Sequence, residues 1–358
     1  MTSLPELCEQ PRDALVGRAA AQGLGLTPHL GHDQLVAELA LDQLARGAEV
    51  WTEGELSTLY DGFGFVRLAR YDYGESAVDA YVSPRQIRAL GLRHGHRVRG
   101  RVRAPRDEER FLALLEVEAV QGTPVRDLGD VAPFEALEVA QAGRPLAIGG
   151  DGELDALAAQ APWRLGDRVL VHTSPSFGAA TWLRRVADAA VAACPAAAVT
   201  VCLLEQRPEE LAAARAGAAG AGVRVVGAAF AEAPRRLTQL ADLALHAAMR
   251  DVERGRDALL LFDSLAALTH AHARSEAPSG AWIQPGLDAR APLAAKRLLA
   301  AARQVAAGGS LTVIATTRSG DSPLEQAIAN EFLSTSNSDV WPEHPERSRT
   351  RPRPTDRS

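Results

Sequence analysis

The chain has 358 residues, of which 46% are apolar and 23% charged, with a formal net charge of −6. That length and composition can bury a sizeable core split over two or three domains, while the small net charge neither requires nor excludes nucleic acid, because local basic patches decide phosphate binding. Cys8, Cys194 and Cys202 have neither metal-ligand nor disulfide spacing, the start lacks a basic-then-apolar signal, and no uncharged run reaches membrane-spanning length, so a soluble cytoplasmic protein without a membrane contact is expected.

Residues 11–22 and 32–46 predict two short helices; in the second, Leu35, Val36 and Leu39 form the apolar stripe, Asp33 suits the start and Gly47 the stop. Residues 1–50 are therefore expected to be an N-terminal helical subdomain. From Trp51 to Gln121 the apolar period changes to two, through Leu56, Leu59, Phe63 and Phe65, then Val98, Val102 and the run 111–120. Between these strands Ser83-Pro84-Arg85-Gln86 is a capping box with proline at the first helical position, opening a short helix that ends near Gly91. Short strands around an intercalated helical turn predict an OB-like, cold-shock-type β-barrel over 51–121. Residues 122–162 read as a connector. Beyond it, candidate strands 168–173, 199–204, 223–228, 258–262 and 311–315 alternate with helical segments such as 181–193 and 236–254, which predicts a parallel-sheet α/β domain over 163–341. The Arg-, Pro- and Ser-rich residues 342–358 predict a disordered tail. The fold class is thus multidomain, α+β followed by α/β.

On a strand, Phe63, Phe65 and Arg67 share one face, and Gly62 and Gly64, which flank Phe63, leave room for another chain. Two rings and a guanidinium form a platform for unpaired bases, each stack contributing about 1–3 kcal/mol. Arg97, Arg99, Arg101 and Arg103 alternate with Val98, Gly100 and Val102, a row of four cations able to track phosphates. By themselves these residues leave two blander readings open: aromatics of the barrel core, and a solvated basic face.

The stretches Asp61-Gly62-Phe63-Gly64-Phe65-Val66-Arg67, Tyr81-Val82-Ser83-Pro84-Arg85-Gln86-Ile87-Arg88 and Glu109-Arg110-Phe111-Leu112-Ala113-Leu114-Leu115 resemble the primary RNA-binding domain of the bacterial transcription termination factor Rho family. The resemblance implies that Phe63, Phe65, Arg67, Tyr81, Glu109 and Phe111 line a pyrimidine-preferring cleft for single-stranded RNA. Phe111 stands where the family usually has tyrosine. Residues 203–210, 260–264 and 308–316 similarly resemble the family's RecA-like, P-loop ATPase domain.

A phosphate loop needs glycines for backbone approach, a lysine on the β/γ-phosphates and a Ser/Thr hydroxyl on Mg²⁺. Here the loop reads Ser174-Pro175-Ser176-Phe177-Gly178-Ala179-Ala180-Thr181. With Gly178 as anchor, the lysine position is Ala179, the metal hydroxyl position is Ala180, and a second family lysine becomes Ser176. Thr181 comes one residue late, turned by about 100° around a helix. The family's water-activating glutamate falls on Gln206; Glu205 beside it is expected on the opposite strand face. Asp263 is the retained Walker B carboxylate. The pore segment 279–286 has Ala281 for lysine and Pro285 for glycine, the loop 318–324 lacks lysine, and the chain ends before the region of the arginine finger. Ser176, Gly178, Ala179, Ala180 and Arg207 are accordingly vestigial nucleotide positions, Gln206 and Asp263 vestigial catalytic ones. No metal site is expected: the pairs His94/His96 and His270/His272 have no third ligand nearby in sequence.

The resemblance thus implies a Rho-like RNA-binding protein of transcription termination or its regulation whose ATP hydrolysis is lost. ATP and Mg²⁺ would matter only if the degenerate site still binds them. Its implied partners are single-stranded RNA, authentic Rho subunits or RNA polymerase, within a homo- or hetero-oligomer such as a hexamer. Two rivals stay open: a working ATP-dependent RNA translocase, and an interaction protein whose barrel no longer binds RNA.

Overall fold

The structure, a computed structural model, describes residues 2–25, 29–141, 143–150, 152–218, 220–320 and 322–351. The chain divides into two compact units, Met1–Asp130 and Val131–Ser358.

In the first unit three helices, α1 (Leu4–Cys8), α2 (Arg12–Ala21) and α3 (His32–Ala45), precede the strands β1 (Val50–Thr58), β2 (Gly64–Arg67), β3 (Ala80–Val82), β4 (Arg97–Arg103) and β5 (Leu112–Val120). The pairing order β1-β2-β3-β5-β4 returns to β1, so the five strands close into an OB-like barrel, with β3 and β5 parallel and the other pairs antiparallel. Between β3 and β4 sits α4 (Pro84–Ala89), capped by the Ser83 hydroxyl accepting from Gln86 N–H while the Gln86 amide oxygen accepts from Ser83 N–H. The expected helical subdomain is not separate. Leu4, Leu15 and Leu35 share one core with Leu56, Val66, Val98 and Val117 of the barrel.

The second unit absorbs most of the expected connector. There Phe134 is fully buried, and α5 (Gly152–Gln160) buries Leu154 and Leu157, an i, i+3 pair too short to announce itself as a period. A sheet follows whose parallel strands are β6 (Arg168–Thr173), β7 (Ala198–Gln206), β8 (Val223–Ala229), β9 (Asp257–Asp263), β10 (Ser310–Arg318) and β11 (Ser338–Val340), in the spatial order β8-β7-β9-β10-β6-β11. Helices α6 (Ala179–Ala193), α7 (Pro208–Ala218) and α8 (Pro234–Glu253) lie between its strands in sequence. In α6 the buried set Leu183, Val186, Ala187 and Ala190 follows helical spacing, which seats one face on the sheet.

The segment expected to be a disordered tail is ordered through residue 351. Arg349–Thr350 pairs antiparallel with β11, and Arg349 and Arg351 reach the fully buried Asp339 at 3.5 and 3.1 Å. Compositional bias misled here because a buried carboxylate requires cationic partners, and the arginines that suggested disorder supply them. Residues 352–358 of that expected tail lie outside the described residues. Cys8, Cys194 and Cys202 are all buried. No helix among the described residues is long and apolar enough to cross a membrane.

Candidate functional site

Two regions gather the residues that the sequence singled out. On the barrel, Phe63 ends the turn from β1 into β2, where its carbonyl accepts from Leu59 N–H and Gly62 adopts a φ of 80°. Gly62 thereby serves the turn. Gly64 serves the hairpin itself, since a Cβ there would stand 2.6 Å from the Ser57 carbonyl oxygen. Both glycines therefore bring β1 and β2 together. Tyr81 is the register partner of Phe65 across β2–β3, and Phe111 immediately precedes β5.

These placements assemble four rings. Phe65 lies 4.9 Å from Phe111, 5.9 Å from Phe63 and 6.0 Å from Tyr81, and Phe63 lies 5.6 Å from Tyr81, measured between centroids. Phe65 is 9% exposed, yet it is absent from the barrel's core cluster; its neighbours in the aromatic group cover it. Phe111 is 38% exposed. Tilted and edge-on contacts at such separations are favoured aromatic geometries and fix the rings before any ligand arrives.

Arg67 shares the expected face but is not a free guanidinium. It is buried, ion-paired with the fully buried Asp79 and donating to the Gly74 carbonyl, with its carbon 5.1 Å from the Phe65 ring centroid. Asp79 also accepts from Ser76 N–H and Oγ. Arg67 therefore props Phe65 from below. Glu109 is held by both guanidinium nitrogens of Arg103, at 2.6 and 2.9 Å, and by Arg106 N–H at 2.9 Å. These partners lower its carboxyl to about 2, Arg103 contributing most.

The row of cations on β4 is neutralised. Arg97 meets Glu53 at 3.7 Å, Arg99 meets Glu118 at 2.9 Å, and Arg101 meets Glu49 at 2.7 Å and Glu116 at 2.9 Å; Arg103 is taken by Glu109. The flanking strands cause this, because β1 and β5 run antiparallel to β4 and set their glutamates beside its arginines. A phosphate would have to displace a carboxylate at each position.

In the second unit the loop after β6 and the ends of β7, β9 and β10 line a cleft of ≈ 370 Å³. It contains Ser176, Gly178, Ala179, Ala180, Gln206, Arg207 and Asp263, all the positions singled out from the sequence. Its lining also includes Thr181, expected to turn away, and Glu205, expected on the opposite face. The reason for Glu205 is local. A bulge breaks the β7 register between Leu203 and Gln206, and Glu205 takes a φ of 52°, so alternation fails at the strand end. Arg274 holds Glu205 at 2.6 Å.

Gln206 and Asp263, the expected catalytic positions, are hydrogen-bonded to each other. The Gln206 amide donates to Asp263 Oδ2 at 2.8 Å and to the Leu204 carbonyl, while Thr316 donates to Asp263 Oδ1 at 2.5 Å. Burial pushes the Asp263 carboxyl up, against these hydrogen bonds. At the head of the loop, Glu343 accepts from Ser174 N–H at 2.9 Å and Oγ at 2.8 Å. Lys296 is the only lysine among the 358 residues, and it is ion-paired with Glu331. A bound Mg²⁺ needs oxygen ligands at short range, but Ala180 carries no hydroxyl and both Asp263 oxygens already accept hydrogen bonds. These residues do not fit a magnesium-bound triphosphate. Arg318 and Phe230 also line the cleft and were missed as site residues, because only the fold brings the ends of β10 and β8 to the loop.

Comparison with known proteins agrees with both units. The family model described as "Rho termination factor, RNA-binding domain" matches residues 52–126. The transcription termination factor Rho of Rhodopirellula baltica is 32% identical over 343 residues, covering 94% of this chain and 67% of that protein. Rho of Salmonella typhimurium and of Escherichia coli K12 are each 31% identical over 345 residues, covering 94% of this chain and 82% of theirs. A solved structure of a prototypical ATPase from the type III secretion system of pathogenic bacteria superposes with a TM-score of 0.50 at 18% identity, over 62% of this chain and 65% of that one, and shows the RecA-like fold alone. On sequence match across both units, the chain belongs to the transcription termination factor Rho family.

Proposed function

We propose that this protein binds single-stranded, pyrimidine-rich RNA through Phe63, Phe65, Tyr81 and Phe111, and that it acts in transcription termination or its regulation without hydrolysing ATP. The observation that carries the reading is a contrast. Four preassembled rings lie outside the barrel core cluster, while the cleft has no lysine, no hydroxyl at Ala180 and a Walker B carboxylate that accepts from Gln206 and Thr316. Unpaired bases present a π-face to such rings, and sequence tolerance or pyrimidine preference follows from the size and edges of the pocket. Arg67 and Glu109 position that pocket through Phe65 and Arg103. Gln206 can orient a water but cannot accept its proton, and loss of a general base alone costs roughly 10²–10⁴ in rate.

In this reading the protein works in the cytoplasm and its RecA-like unit is an assembly surface, joining copies of itself or authentic Rho subunits in a ring that includes RNA. The test is phosphate release from Mg·ATP by the purified protein at saturating oligo(C). Hydrolysis at background with oligo(C) bound is the expected result; RNA-stimulated turnover would overturn the reading. A second reading, a working translocase, is favoured by the two arginines of the cleft, Arg207 and Arg318. It requires turnover that Arg318→Ala abolishes.

A further inference from the structure

The chain has four tyrosines, and three of them are engaged inside the barrel unit. The Tyr71 hydroxyl meets His32 Nδ1 at 2.9 Å, Tyr73 is buried, and Tyr81 belongs to the ring cluster. Tyr60 is fully exposed, at 107%. Its backbone, by contrast, is firmly held. Leu59 N–H donates to the Phe63 carbonyl at 2.8 Å, Gly62 N–H donates to the Leu59 carbonyl at 2.9 Å, and Gly62 takes a φ of 80°. This is the three-residue hairpin loop in which a β-turn is followed by a residue in the left-handed region. It presents the Tyr60 side chain at the tip between β1 and β2.

The same hairpin carries an edge of the ring cluster. The register Thr58↔Gly64 continues to Leu59 opposite Phe63, and opposed residues of an antiparallel pair project to one side. Leu59, an exposed apolar side chain, therefore continues the surface of the Phe63 ring toward the tip. Three residues separate Tyr60 from Phe63, a span of at most about 11 Å between their Cα atoms. A strand seated on Phe63 has the Tyr60 ring within reach. The tip sequence Leu59-Tyr60-Asp61-Gly62 holds no cation, so what it offers a nucleotide is a π-face and not a phosphate contact. We infer that Tyr60 is a fifth stacking residue, which takes the base leaving the four-ring cluster past Leu59 and lengthens the single-stranded RNA footprint. The inference rests on the proposed RNA binding and adds a contact to it.

Fluorescence anisotropy of the full chain with labelled oligo(C), from about two to about ten nucleotides long, tests it. Tyr60→Ala should weaken binding of the long oligonucleotides at least about five-fold, the lower bound for one stacked base, and leave the shortest that still binds unchanged. Phe63→Ala should weaken every length. Tyr60→Phe keeps the ring and should bind all lengths as the wild type does. Stacking releases no counterion, so the salt dependence of Tyr60→Ala should match that of the wild type. Wild-type affinity of Tyr60→Ala at every length would overturn the inference, and so would an equal loss at every length or a shallower salt dependence. Impaired self-assembly of Tyr60→Ala with RNA affinity intact would also overturn it, assigning the tip to a protein contact. These failures leave the RNA-binding reading standing; that reading falls, and this inference with it, only if the wild-type chain binds oligo(C) of no length.

Discussion

The barrel face and the RecA-like cleft present opposite remainders. On the barrel Arg67 is matched by Asp79, Arg103 by Glu109, and the other β4 arginines by Glu49, Glu53, Glu116 and Glu118. What stays available at Phe63, Tyr81 and Phe111 is aromatic surface. In the cleft Asp263 accepts from Gln206 and Thr316, Glu205 is paired with Arg274 and Glu210 accepts from Arg207 N–H, and what stays available includes two guanidinium groups and a ring. A group already satisfied inside the fold contributes little to a ligand, because binding must first break what it has. The comparison teaches that the residues left over, more than the residue types present, define what each region can hold.

Removing the support beneath the rings should have the largest effect. Asp79→Ala leaves the buried Arg67 charge without its carboxylate, a loss of about 3–5 kcal/mol in urea unfolding of the barrel unit. If Arg67 were a free binding cation, the same substitution would leave stability near wild type. Next in size is Phe63→Ala combined with Phe111→Ala. Each stacked base is worth about 1–3 kcal/mol, so oligo(C) affinity measured by fluorescence anisotropy should fall about 5- to 150-fold per ring while the RecA-like unit keeps its melting temperature. Unchanged affinity would make the rings structural.

How much of this was legible beforehand depends on the kind of contact. The strands expected at 168–173 and 223–228 and the helix expected at 181–193, found at 168–173, 223–229 and 179–193, follow from apolar runs and helical spacing, which are local properties. The ring partners Phe65 and Tyr81 were legible as a motif, and the absent lysine at Ala179 as a gap in one. The neutralised β4 arginines were not, because their partners Glu49, Glu53, Glu116 and Glu118 become neighbours only through strand register. Glu205 entered the cleft through a bulge, and alternation rules carry no information about bulges. Arg318 and Phe230 came from the ends of two other strands, a coincidence that topology alone creates.

A smaller effect sharpens the cleft side of the comparison. Burial holds the Asp263 carboxyl above its ordinary range, so in the folded state it takes up a proton more readily than in the unfolded chain. Its ionised form is then a cost at neutral pH, relieved as pH falls toward the raised value. Asp263→Asn should therefore raise or preserve the melting temperature at pH 7–8 and flatten its pH dependence below. A marked loss of stability at pH 7 would mean that the carboxylate does more than accept from Gln206 and Thr316.

The smallest effect belongs to the β4 ladder. Arg99→Ala removes an ion pair whose two side chains are 49% and 47% exposed, worth about 0–1 kcal/mol of stability. Because Glu118 already neutralises Arg99, oligo(C) affinity should change by less than about two-fold. A ten-fold loss would restore the cation row as an RNA track.

Coupling between the two regions is the central issue, and the dissociation rate of labelled oligo(C) from the protein, followed in stopped flow with and without Mg·ATP, tests it most directly. The same rate in both conditions is the predicted result, that of a passive RNA holder. ATP-driven acceleration that disappears with a non-hydrolysable analogue would contradict it and establish a working motor.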